Sequence, residues 1–324
     1  MSTKTRKDRR LRSPTRDRLE LILYRMATGM LSLLPRGVPA SLGRALALLY
    51  VRLFRSRSRV LLDNLRQAFP EKTSREIERI ARESTAAFGA SFMDFLEISA
   101  LDEQGIRSRV GIAGREHYDA ARALGRGVLL MSAHIGGWEL GAIFGGILGE
   151  PIVPVVRPLD NPLLEEELAL RRTRFGNRLI AKRHAAREIL KTLSANEAIA
   201  ILIDQNVVAR EAVFVPFFGR LAATSPALAL FQLKTGAPVV PVFVWPEGQG
   251  HYRVELEPAI RVEEFRRPGL DRGEAVRQAT ARYTEVTEAA IRRDPAAWLW
   301  MHDRWKTRPG EDGNRKSENG KREG

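Results

Sequence analysis

From about residue 110 onward the chain alternates short apolar runs with amphipathic stretches. The run over 128–133, Val-Leu-Leu-Met-Ser-Ala, follows Gly125 and Gly127 and predicts a buried strand. Similar runs predict strands over 151–157, 178–181, 198–204, 238–245 and 251–257, the last two joined by a turn at 246–250. Helical periodicity predicts helices over 162–175, 185–193 and 271–293. Another is expected to start at Ser225, with Ser225 as N-cap and Pro226 at the first helical position. The apolar, glycine-rich segment over 138–148 can start a further helix. This order of elements predicts an α/β fold with a mixed, largely parallel sheet flanked by helices.

The first hundred residues read differently. Residues 1–18 carry eight Lys/Arg against Asp8 and Asp17 and predict a basic disordered tail. Two apolar helices follow, over 19–34 and 40–54, broken by Pro35 and Pro39. Residues 58–100 are helical with charged faces. Phe69-Pro70 marks a turn, and Thr73 with Glu76 forms a capping-box signature. Four regions are therefore expected: the tail 1–18, a helical membrane-associating segment 19–105, an α/β domain 106–306 and a disordered polar tail 307–324.

Net charge is +14, which points to an anionic partner such as nucleic acid or a membrane surface. The basic residues cluster beside the apolar helices, at 4–18 and at Arg52, Arg55, Arg57 and Arg59, and no nucleic-acid motif is present. Membrane-surface binding is thus favoured over nucleic acid. The 19–34 stretch is shorter than the roughly 20 apolar residues a span needs, and Glu20 and Arg25 interrupt it. An interfacial or re-entrant anchor is expected, against the plainer reading of a buried helix pair. The segment 298–306, Trp-Leu-Trp-Met-His-Asp-Arg-Trp-Lys, suits an interfacial aromatic belt or a packed C-terminal helix.

The chain has no cysteine, which excludes disulfides, thiolate metal sites and cysteine nucleophiles. Its five histidines show no metal-ligand spacing, so no metal is expected. Candidate chemistry collects where predicted strands end. His134 and Glu139 lie five residues apart in His-Ile-Gly-Gly-Trp-Glu. A histidine with a carboxylate is the minimum equipment of a general base. Five residues is about 140° of helical rotation. The pair therefore requires His134 in the turn and Glu139 in the first helical turn; the plainer reading is a capping or core histidine. Arg157 ends a strand and can fork onto a phosphate or form a surface ion pair. Asp204 and Gln205 end another, either as a turn or as substrate contact at the sheet edge of His134. Ser132 lacks a nucleophile-elbow motif, so an acyl-enzyme is not required.

Several segments, taken in order, carry a resemblance. They are Asn64-Leu-Arg-Gln-Ala-Phe-Pro70, His134-x4-Glu139, Arg157-Pro-Leu-Asp-Asn161, Asp204-Gln205, the turn from Phe217-Phe-Gly219 to Thr224, Thr235-Gly-Ala-Pro-Val-Val-Pro241, and Trp300-x3-Arg304-Trp305-Lys306. Together they resemble the lipid A biosynthesis (lauroyl/myristoyl) acyltransferases of Gram-negative bacteria, within the lysophospholipid-acyltransferase-like superfamily. Pro246-Glu-Gly248 resembles a lysophosphatidate acyltransferase motif, but it follows the Val240-Pro-Val242 strand instead of preceding it and reads as a hairpin turn. The resemblance implies a glycerolipid-acyltransferase-like fold at the cytoplasmic face of the inner membrane. It implies no cofactor, with an acyl-carrier-protein or acyl-CoA thioester as co-substrate, and a membrane lipid acceptor. It implies His134 and Glu139 as catalytic dyad, with Arg157, Asp204, Gln205, Thr224 and Arg304 as substrate-binding residues. Phe214, Phe217, Phe218, Trp138 and Phe144 are candidates for an acyl groove. Other glycolipids or lysophospholipids remain open as acceptors, and a basic non-enzymatic binding protein is the alternative of a different class.

Overall fold

The computed structural model describes residues 13–182 and 185–310. The basic residues 1–12, the tail 311–324 and His184 lie outside the described residues. Nine strands follow in chain order: β1 (Val110–Ala113), β2 (Val128–Ser132), β3 (Ile152–Val156), β4 (Ile180–Ala181), β5 (Ala198–Leu202), β6 (Val213–Phe217), β7 (Arg220–Thr224), β8 (Val239–Gly248) and β9 (His251–Leu256). Seven of them form one sheet in the order β1-β9-β8-β2-β5-β3-β4, and β6 pairs with β7 as a separate hairpin. Every neighbouring pair in the large sheet is parallel except β8–β9. The turn at 246–250 is the tip of that antiparallel hairpin, as its glycines require.

The central strands are continuous apolar runs because helices cover both faces of the sheet. The first four residues of β2 are buried. On one face, α7 (Trp138–Ile147) packs Leu140, Ile143, Phe144 and Ile147 against Leu130, Ala198 and Val240. On the other face lie α9 (Ala186–Ser194), α10 (Ala227–Thr235) and α11 (Arg272–Arg293), which bring Ile189, Leu228 and Tyr283 to Leu129, Met131 and Ile199. The helix expected from Ser225 starts two residues later; Ser225 Oγ accepts from the Ala227 amide. The β6–β7 hairpin was not expected. Its strands mix aromatics and proline, and Phe218 carries a positive φ of 50° at the tip.

The N-terminal helices are α1 (Pro14–Ser32), α2 (Val38–Leu53), α3 (Arg55–Ala68) and α4 (Ser74–Ile98). The capping box forms: Glu76 Oε2 accepts from the Thr73 amide at 2.8 Å, and Thr73 Oγ1 accepts from the Glu76 amide at 3.3 Å. Helices α2 and α4 approach at Gly43 and Gly89, where a Cβ on either would lie 2.2 or 2.1 Å from the other's carbonyl oxygen. Backbone cannot yield as a flexible side chain does. Gly89→Ala is therefore expected to lower stability by at least about 1–3 kcal/mol, the range for overpacking. A thermal melt against wild type would read it, and an unchanged midpoint would deny the close crossing.

The polar interruptions of α1 have a local explanation. Arg25 donates to Glu167 at 2.9 Å, and Glu20 accepts from Asn161 at 2.8 Å. Both partners belong to α8 (Pro162–Thr173) or its N-cap. The apolar residues of α1 and α2 stay exposed instead: Leu23 is 56% exposed, Met26 58%, Met30 67% and Leu53 67%. Among the described residues, no helix is long and apolar enough to cross a membrane.

The segment 298–306 is neither a surface belt nor a helix. Trp298, Trp300 and Trp305 are buried in one core with Phe69, Phe217 and Phe218. Asn64 holds this segment from α3, donating to the carbonyls of Trp300 and His302 at 2.8 and 2.7 Å. Apolar area favours that burial, and the peptide groups of the irregular chain find a side-chain partner.

Candidate active site

Two neighbouring parallel strands deliver the reactive side chains. Strands β2 and β5 pair in register from Val128–Ala198 to Ser132–Leu202. Each chain leaves the sheet one turn later, so His134 and Asp204 emerge side by side at its C-terminal edge, where α/β folds place their sites. Asp204 Oδ1 lies 2.9 Å from His134 Nδ1, and Oδ2 accepts from the His134 amide at 3.0 Å. Trp298 Nε1 donates to the same Oδ2 at 2.7 Å. The carboxylate thus accepts three hydrogen bonds while 4% exposed.

Burial alone would raise the Asp204 pKa. The charge of His134 and the donors from His134 and Trp298 outweigh it and hold the carboxyl well below the usual range. Burial opposes charge on His134 too, but Asp204, and to a smaller degree Glu139, push its pKa upward. Because an ionised carboxylate only accepts, the imidazole proton sits on Nδ1. Nε2 then carries the free lone pair, and it accepts from Gln205 Nε2 at 3.1 Å. The arrangement is that of an oriented general base whose basic atom faces outward.

The glycines after His134 are required by close contact. Gly136 has φ +54°, and a Cβ there would lie 2.2 Å from the Val244 carbonyl; one on Gly137 would meet the Tyr252 ring at 2.7 Å. This turn sets α7 to begin at Trp138, and it places Glu139 in the first helical turn as expected. The side chain of Glu139, however, does not orient His134. It receives a forked ion pair from Arg172 of α8, Nη2 lying 2.9 Å from Oε2 and 3.2 Å from Oε1. The hydrogen-bonded partner of the histidine is Asp204, which the register of two strands 70 residues apart supplies.

The remaining candidates divide by burial. Arg157 is exposed at the end of β3, on the same sheet edge, and Gln205 is exposed beside His134. Thr224 and Arg304 are each 1% exposed and bind one another, Nη2 of Arg304 donating to Thr224 Oγ1 at 2.5 Å and Nη1 to the Ala223 carbonyl at 2.8 Å. Burial pushes the Arg304 guanidinium down to about 10, against the opposing pull of Asp204. Such a sealed pair ties β7 to the C-terminal segment and is closed to substrate, contrary to the expected contact role. Sequence reasoning missed Arg172 and Trp298. Arg172 reads as one of three arginines on a helix surface, and Trp298 as one of several aromatics.

A cavity of about 170 Å³ opens beside this site, between α7 and the sheet. Ser132, Trp138, Glu139 and Arg172 line one part, and Leu130, Val242 and Ala200 of the strands form its floor. Of the five aromatics expected in an acyl groove, only Trp138 lines it. Phe144, Phe217 and Phe218 are core residues, and Phe214 is half-buried elsewhere.

Comparison with known proteins identifies the family. The family described as bacterial lipid A biosynthesis acyltransferase matches residues 6–307. The chain is 30% identical over 280 residues to a lipid A biosynthesis lauroyltransferase of Escherichia coli K12, covering 85% of this chain and 88% of the relative. A lipid A biosynthesis palmitoleoyltransferase of the same organism is 26% identical, covering 85% and 87%. A phosphatidylinositol mannoside acyltransferase of Mycolicibacterium smegmatis is 23% identical, covering 74% and 81%. With the motifs in order and the match running from end to end of the fold, this chain belongs to the bacterial lipid A biosynthesis acyltransferase family.

Proposed function

We propose that this acyltransferase moves a fatty acyl chain from an acyl-carrier-protein thioester to a hydroxyl of a lipid A precursor at the cytoplasmic face of the inner membrane. The reading rests on an oriented imidazole whose ring packs 5.2 Å from that of Trp138, a residue of the apolar cavity wall together with Ser132 and Glu139. The cavity suits an acyl chain, and Nε2 of His134 suits an incoming hydroxyl.

His134 Nε2 takes the hydroxyl proton as the oxygen attacks the thioester carbonyl. Asp204 keeps the proton on Nδ1 and stabilises the imidazolium as it forms. The tetrahedral intermediate then expels the carrier thiolate, which receives the proton from Nε2. Glu139 contributes negative charge near the imidazolium and holds Arg172 at the cavity mouth. Glu139→Gln is expected to lower kcat/KM by at least about tenfold, or 1.4 kcal/mol, yet less than a change at Asp204. A larger loss at Glu139 than at Asp204, in steady-state assays of both variants, would reverse the two roles.

The exposed apolar residues of α1 and α2, next to Arg18, Arg36 and Arg52, support a surface lying in the membrane interface. Wild type is expected to sediment with anionic phospholipid vesicles and to stay bound in high salt. A Leu23→Glu, Leu46→Glu double variant should be released by salt, because only its electrostatic attraction would remain. Equal retention of both proteins would remove these helices from the interface.

The functional test offers the wild-type enzyme thioesters of acyl carrier protein and of coenzyme A, each with an under-acylated lipid A precursor, a lysophospholipid or a mannosylated phospholipid. Product mass reads the outcome. One added acyl group on the lipid A precursor, from the carrier-protein donor, is expected. Transfer only to another acceptor or only from coenzyme A would replace that part of the assignment.

A further inference from the structure

The cavity beneath α7 has a second end. Ile112 of β1 and Leu148 line it there, together with three polar residues, Arg115, Tyr118 and Glu150. Arg115 and Tyr118 lie on the short helix α6 (Arg115–Arg122), and Glu150 lies in the loop before β3. Arg115 Nη2 donates to Glu150 Oε1 at 2.5 Å, and the Tyr118 hydroxyl donates to Oε2 at 3.1 Å. Arg122 Nη1 donates to the Tyr118 oxygen at 3.0 Å. A charged, mutually bonded cluster therefore closes an otherwise apolar passage. The Arg115 and Glu150 side chains remain 38% and 28% exposed, so the cluster separates the cavity from solvent.

The passage between the ends runs under small residues. Gly141 and Gly145 of α7 both line it. A Cβ at Gly141 would come within 3.4 Å of Val244, and one at Gly145 within 3.2 Å of Ile152 and of the Glu150 carbonyl. Side chains at these positions would fill the space between helix and sheet. Gly145 is required by that close packing against Glu150 and Ile152, whereas Gly141, with its single neighbour at 3.4 Å, keeps a side chain out of the passage although glycine costs a helix about 1 kcal/mol relative to alanine.

We infer that the Arg115–Tyr118–Glu150 cluster is the stop that sets acyl-chain length, with Gly141 keeping the passage to it open. The inference rests on the acyltransferase reading above and assigns the far end of the same cavity. A chain that just reaches the cluster buries every methylene against apolar walls. A longer one must strip water and partners from an ion pair, which apolar carbon cannot replace. Discrimination of this kind, one or two methylenes against a fixed wall, is worth about 10–200-fold in rate.

Two variants shift the preference in opposite directions. Arg115→Ala removes one of the two donors to Glu150, and the bulk beside it, and opens the end to solvent. Gly141→Leu places a good helix-forming side chain in the passage. Transfer rates are measured with donor thioesters lengthened two carbons at a time. Binding of the corresponding free fatty acids is measured in parallel by displacement of a fluorescent fatty acid, which needs no acceptor. Arg115→Ala is expected to raise the rate and affinity ratio of the longer over the preferred chain by roughly tenfold or more. Gly141→Leu is expected to shift the optimum to shorter chains by a similar factor, with the shortest donor still used, which shows that the variant is folded. An unchanged length profile in both variants, in transfer and in displacement, would overturn the stop. Opposite shifts in displacement without transfer to any lipid would support the stop and defeat the functional reading instead.

Discussion

Replacing His134 by alanine is expected to lower acyl-transfer turnover by about 10²–10⁴-fold, the usual worth of a positioned general base. That corresponds to roughly 3–5 kcal/mol of transition-state stabilisation. The attacking hydroxyl is a weak nucleophile until its proton leaves, and Nε2 of His134 is the basic atom of an imidazole that packs on Trp138 of the cavity wall. The fold should survive the change. The strand before His134 is held by its neighbours β5 and β8, and the turn after it by backbone hydrogen bonds of Gly136 to Ala297 and Gly137 to Val244. Circular dichroism and a melt on the same preparation would separate lost chemistry from lost structure. Turnover within a few-fold of wild type would remove His134 from the mechanism.

Asp204→Asn is expected to be as damaging, with a loss of up to about 10⁴-fold, as when a triad carboxylate becomes an amide. Three donors converge on Asp204: the His134 amide, His134 Nδ1 and Trp298 Nε1. An asparagine offers one acceptor oxygen and an amide that donates. Its nitrogen must face one of those donors, and if it faces Nδ1 the imidazole proton moves to Nε2, where the lone pair is needed. The pH profile should move as well. Wild-type activity should fall on the acid side as His134 is protonated, with an apparent pKa above the ordinary value of about 6.5, because Asp204 raises it. Removing that charge leaves burial opposed only by the weaker pull of Glu139 and lowers the pKa, so the acid limb of the variant should lie at lower pH. An acid limb that stays in place would mean that another group titrates there.

Six of the seven strands of the sheet and most of its flanking helices were legible because buried parallel strands are continuous apolar runs and surface helices alternate at their own period; the edge strand β1, four residues long with none buried, and the short α6 after it carry neither signal. The ends were read long. Ala133 and Asp204 continue the apolar or strand-end pattern but have already left the ladder, and leaving it is what places His134 and Asp204 together. Local sequence shows His134 and Glu139 as neighbours and places Asp204 at the same sheet edge, but it hides the pairing of Asp204 with His134, since spacing reports contacts along the chain and not across a register. Glu139 finds Arg172 because α8 returns alongside α7, which no periodicity reveals. Arg304 and the tryptophans carried an interface-like pattern of base and aromatic, but the same residue types also build a buried core when the Ala223 carbonyl and the Thr224 hydroxyl accept from the guanidinium. The aromatics of 214–218 were expected along an acyl groove. The passage is instead walled mostly by aliphatic residues of the strands and by α7, with Trp138 the one expected aromatic on it.

The most direct test of the account compares wild type and folded His134→Ala side by side, with an acyl-carrier-protein thioester and an under-acylated lipid A precursor in detergent micelles. Product mass is recorded over time. The account predicts one acyl increment on the precursor with wild type and almost none with the variant. Equal increments from both proteins would contradict it.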